Sequence, residues 1–215
     1  MRSIAPCRRR RAGSLGGAVS LAGLLTLGAA ACGPKYPQQR QQQETDGAPM
    51  ELGVCDGVSQ QHPDEGRTHI PCTSPATYLT EPPSSGNHYP IWANFQTYTT
   101  PVPWGNLVHS LEHGAVVIVY NCPDTCDADV ARIQTLMNGI ADPLCTTPRL
   151  ILAPDPTLDV RFAASAWTWT LRADCFDEGI FGDFIREHIG FGLEQLCTAG
   201  ASTPDTLCPS PADAG

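Results

Sequence analysis

At 215 residues, with 41% hydrophobic and 16% charged side chains, the chain is long enough for one buried core and shows no internal boundary that would divide it. Lysine and arginine number 13 against 22 aspartate and glutamate, and five of the arginines (Arg2, Arg8, Arg9, Arg10, Arg11) open the chain, so the remainder carries 8 basic and 22 acidic groups, a net charge of -14. That balance repels phosphate backbones and excludes nucleic acid as a main partner, while 20 prolines and 20 glycines argue for a loop-rich domain over a helical bundle.

In chain order, RRRR at 8–11 precedes an apolar run from Leu15 to Ala31 that ends at Cys32. A basic start, a short apolar stretch and the small residues Ala29, Ala30 and Ala31 before a cysteine form a lipoprotein signal peptide over residues 1–31, and Cys32 then becomes an acylated (palmitate-carrying) N-terminus. As a permanent span the run is short beside the roughly 20 residues a bilayer needs. The expected partner is a membrane of the cell envelope, reached through the lipid. Gly33 stands where a retention aspartate is common, which favours the outer membrane where there are two. Residues 32–50 contain PKYPQQRQQQETDGAP, with Tyr36 as its only sizeable apolar side chain, and read as a flexible tether.

A single compact, loop-rich α+β domain is expected over residues 51–197, with a short mixed or antiparallel sheet and about three helices, followed by a low-complexity tail over 198–215. Its first motifs are EPPSSGNHYP, holding His88 and Tyr89, and NLVHSLEHG, holding His109, Glu112 and His113. The β-branched run Ala115 to Tyr120 predicts a buried strand. Val130, Ile133, Met137 and Ile140 recur at helical spacing after Asp127, which is expected to cap that helix, and Gly139 with Pro143 ends it. Arg149 to Ala153 predicts a second strand. Val160 to Leu171 predicts a third, with Trp167, Trp169 and Leu171 on one side. The last helix, over FDEGIFGDFIREHIG, places Phe181, Phe184, Ile185 and His188 on one stripe.

Once Cys7 and Cys32 are set aside, eight cysteines remain: Cys55, Cys72, Cys122, Cys126, Cys145, Cys175, Cys197 and Cys208. In an exported chain an even set predicts disulfides. Proximity in sequence suggests Cys55 with Cys72 and Cys197 with Cys208. The spacing of Cys122 and Cys126 is one residue longer than a redox CxxC and suits a structural bridge.

Chemistry concentrates on three histidines. On a helix, His109 and His113 at i and i+4 share a face, and the rigid bend before His88 aims that imidazole and Tyr89 inward. Three imidazoles suit Zn(II) or Cu(II); Cu(I) is disfavoured because the thiols are oxidised and only Met50 and Met137 survive processing. Glu112 then serves as a neighbour of the ligands or as a base, because HSLEH also fits the HxxEH pattern of metal-dependent hydrolases. In the alternative the histidines are architectural, within a structural or interaction module. His188 reads as a core histidine, and His62 and His69, in QQHPDEGRTHIP, as exposed residues outside the site.

Through PPSSGNHYP at Pro82 to Pro90, VHSLEHG at Val108 to Gly114 and APDPTLDVRFAASAWTWTLR, the chain resembles the bacterial family designated domain of unknown function 3105, from about Thr68 to Glu194. The resemblance implies an exported or membrane-tethered single domain in which the two histidine motifs belong to one fold. It implies no activity. Two positions depart from the family pattern: Thr168 stands where glycine usually follows the alanine-tryptophan pair, and Gln96 where glycine usually lies two residues before the tyrosine, Tyr98.

Overall fold

The computed structural model describes residues 55–208. The segments expected as signal peptide (residues 1–31) and tether (32–50), with Cys32 and Met50, lie outside the described residues, as does the tail beyond residue 208.

Among the described residues three α-helices and five strands follow in the order β1 (Val58–Gln61), α1 (Trp104–Glu112), β2 (Val116–Tyr120), α2 (Asp127–Asn138), β3 (Leu150–Pro154), β4 (Phe162–Ala166), β5 (Trp169–Ala173) and α3 (Glu178–His188), with a short 3-10 turn at Pro204–Thr206. The strands form one mixed sheet in the order β1-β5-β4-β2-β3. Only β2 and β3 are parallel, joined through α2; the other pairs are antiparallel. The architecture is the expected α+β. Among the described residues no helix is long and apolar enough to cross a membrane.

β2 lies inside the sheet, covered on both faces, which is why it reads as an unbroken apolar run rather than an alternation. Val116 and Ile118 point into a core with Ile133 of α2 and Phe181, Phe184 and Ile185 of α3. Val117 and Val119 point the other way, to Leu107, Val108 and Leu111 of α1. Helices α2 and α3 thus cover one face, and α1 with the loops before it covers the other.

The stretch from Val160 to Leu171 is a hairpin, not the single strand its alternation predicts. Ala166 pairs with Trp169 across a turn made by Trp167 and Thr168, so the period-2 pattern runs straight through a chain reversal. Trp167 accordingly lies in the α1-side core, while Leu171 lies in the opposite one. Asp127 opens α2 rather than capping it. The cap residue is Cys126, which makes no side-chain capping bond, and Asp127 with Asp129 sits in the first turn where a carboxylate favours the helix dipole. Strand β1, fully exposed, carries no apolar alternation and escapes a reading by pattern.

All eight expected cysteines are bridged, which places the domain in an oxidising environment. The local pairings Cys55–Cys72 and Cys197–Cys208 are corrected: the bridges are Cys55–Cys175, Cys72–Cys208, Cys122–Cys126 and Cys145–Cys197. Sheet register explains the first. Val58 pairs with Arg172, so Cys55, continued outwards antiparallel, meets Cys175. Cys208 reaches Cys72 because residues 198–208 pack on the domain, with Asn94 N–H donating to Ala201 O at 2.9 Å and Leu207 buried.

Candidate metal centre

Every residue of α1 from Gly105 to Glu112 is buried. With Leu107, Val108 and Leu111 given to the sheet, helical geometry sends Gly105, His109 and Glu112, at i, i+4 and i+7, to another face. A Cβ at Gly105 would stand 2.4 Å from Tyr89 Cδ2, so a side-chain-free residue there lets the His88–Tyr89 segment lie on the helix. On the adjoining stripe Asn106 Nδ2 donates to Ile91 O at 2.7 Å and Ser110 Oγ to Ala93 O at 2.9 Å, which fastens the next part of that loop.

A second loop segment pairs with the first. Gly86 N–H donates to Gly66 O at 2.9 Å, His88 N–H to Thr68 O at 3.1 Å and Ile70 N–H to His88 O at 2.8 Å, so that His69 and His88 are register partners. Gly66 and Gly86 both adopt positive φ, which a glycine takes without steric cost. The rings of His69, His88 and His109 consequently form a near-equilateral triangle, with centroids 5.0, 4.7 and 4.8 Å apart.

The tautomers follow from the partners. His88 Nδ1 lies 2.9 Å from Gly86 O and His109 Nδ1 lies 2.6 Å from Tyr89 O. A carbonyl only accepts, so both Nδ1 atoms carry hydrogen and both Nε2 atoms present lone pairs. Imidazoles that ligate metals are held in this way. Burial lowers the proton affinity of both, that of His109 to a pKa of about 3. Each is therefore a neutral donor at neutral pH, as ligation requires.

Glu112 completes the cluster. Its Oε2 stands 3.1 Å from His88 Nε2, and that nitrogen makes no hydrogen bond among the described residues. Two lone-pair atoms facing each other in a buried place need a cation or a proton between them. Burial, and next the charge of Glu194, raises the Glu112 pKa. One donor atom from each of His69, His88, His109 and Glu112 lies within 4.8 Å of the others, a group that can hold a metal ion. Exposed His69 marks its solvent side.

His113, expected with His88 and His109, stands next to this group. Its ring is 4.6 Å from that of His109, but α1 ends at Glu112 and His113, the cap residue, offers its donor to a different set, Glu112 and Glu194. The two histidines of HSLEH thus fall in separate groups, with Glu112 common to both. Tyr89 acts through its carbonyl on His109, while its hydroxyl donates to Ser74 O at 3.2 Å. His69 and Glu194 are the participants that the sequence spacing does not reveal. Each lies in an irregular segment near a bridge, His69 three residues before Cys72 and Glu194 three before Cys197. His188, expected in the core, is half-buried at its edge, with its ring 4.5 Å from that of Phe184 and 4.7 Å from that of Trp169, and His62 bonds Thr170 Oγ1 at 2.8 Å.

Comparison with family models gives a match to the family described as "Protein of unknown function (DUF3105)" over residues 69–197. No curated protein and no solved structure matches the chain.

Proposed function

We propose that this chain, which belongs to the DUF3105 family, is an exported metal-binding protein whose ion is held by the Nε2 atoms of His88 and His109, a ring nitrogen of His69 and a carboxylate oxygen of Glu112. The observation that carries this reading is the pair of buried imidazoles whose Nδ1–H groups are committed to backbone carbonyls, leaving two lone pairs aimed into one place beside a carboxylate. Three nitrogens and one oxygen suit Zn(II) or Cu(II). In this arrangement Glu112 is a ligand rather than a distant base, and binding takes precedence over hydrolysis. The basic and apolar run before Cys32 supports the rest of the proposal, an acyl anchor that holds the domain at an envelope membrane.

Elemental analysis of the purified exported protein tests the site. At least one Zn or Cu per chain is expected, and His109→Ala, which removes a buried ligand, should weaken uptake at least 100-fold, the scale that even outer-shell changes reach at metal sites. A His109→Ala protein that folds and retains full metal content would overturn the proposal.

A further inference from the structure

Glu112 belongs to two donor groups. Beyond the cluster with His69, His88 and His109, its carboxylate lies with a ring nitrogen of His113 and an oxygen of Glu194, donor atoms again within 4.8 Å of one another. His113 is 1% exposed, and its Nδ1 has no hydrogen-bond partner among the described residues. Its Nε2 stands 3.5 Å from Glu194 Oε2, beyond the usual 2.7–3.2 Å of an N–H···O bond. A buried imidazole so poorly satisfied beside two carboxylates is an arrangement that a cation would complete. The setting is built by backbone, not by chance approach of side chains. Glu194 N–H donates to Glu112 O at 2.8 Å, Gly190 N–H donates to Gly114 O at 2.8 Å, and Cys145–Cys197 holds the segment from beyond. At Gly192 a Cβ would meet Glu112 O at 2.2 Å, so only glycine lets this segment approach the helix end.

We infer that the centre is dinuclear: a second divalent cation is held by His113 and Glu194, and Glu112 bridges the two ions through its two carboxylate oxygens. The inference rests on the first site only through that shared carboxylate. A bridging carboxylate fits the separation of about 3.5–4 Å found in two-metal sites. One nitrogen and two oxygens make the second position harder than the first, suited to Zn(II) or Mn(II).

Zn(II) titration of the full mature protein after chelation, with bound metal counted by elemental analysis, is the test. Two ions per wild-type chain are expected. Glu194→Gln, an exposed change that keeps the backbone contacts, should leave one, and His69→Ala should weaken the other. One ion in both wild type and Glu194→Gln would overturn the second site and leave the first standing. Two ions in both would overturn it as well, by placing the second ion elsewhere. No ion in the wild type would overturn both readings together.

Discussion

Thr168 is a residue in the wrong conformation for its type. With φ of 62° it alone among the described non-glycine residues lies in the left-handed region, where a β-branched side chain is disfavoured. Both its backbone groups are committed, N–H to Ser84 O and C=O to His62 N–H, each at 2.8 Å, so the turn holds the residue there. Glycine, which the family resemblance leads one to expect at this position, would relieve the strain at some entropic cost in the unfolded chain. Thr168→Gly should therefore raise stability by about 1 kcal/mol, seen as a higher urea midpoint. An unchanged or lower midpoint would show that the threonine side chain contributes more than its conformation costs.

At the scale of elements, the end of α1 is fixed to the turn after α2 by a buried ion pair. Arg149 Nε donates to Asp142 Oδ2 at 2.8 Å with both side chains fully buried, and Arg149 Nη1 donates to His113 O at 2.9 Å. Burial alone would raise the Asp142 carboxyl, but hydrogen bonds from the Arg149 side chain and from the N–H groups of Leu144, Cys145 and Arg149 outweigh it and bring the pKa to about 2. Because the folded value is depressed, the pair stabilises fully above the ordinary carboxylate value of about 3.9 and loses its effect as pH falls through about 2. Asp142→Asn, which leaves a buried guanidinium without its counter-charge, should cost about 3–5 kcal/mol at pH 7. The gap to wild type should narrow below pH 3 in urea denaturation series. A gap of equal size at both pH values would mean that the side chain acts by packing rather than by charge.

For the whole molecule, the four bridges and the proposed anchor act on different parts. Cys72–Cys208 and Cys145–Cys197 brace the irregular segments that carry His69 and Glu194, where no helix or strand positions a side chain. The stretch from Gly33 to Pro49 offers little to pack, with Tyr36 its one large apolar residue. Cys32→Ser should thus move the protein from the membrane fraction to the soluble fraction with its thermal midpoint unchanged. Recovery of wild-type protein in the soluble fraction would remove the anchor from the proposal.

Much of the molecule is written in local pattern. The apolar run of β2, the helical spacing of α2 and α3, the even cysteine count and the two histidine motifs are properties of contiguous residues, so burial and periodicity make them legible. Pairings between distant segments are not of that kind. The hairpin turn at Trp167 and Thr168 was hidden because both of its strands continue one alternation, and the bridge from Cys55 to Cys175 follows from a sheet register that no local spacing encodes. The site divides along the same line. His88, His109 and Glu112 announce themselves by their motifs, whereas His69 enters because its backbone pairs with that of His88, and Glu194 because a glycine-bearing segment folds back over the end of α1. A short sequence window specifies which face of an element is apolar; which donors share a cation is decided by backbone hydrogen bonds between segments far apart in the chain.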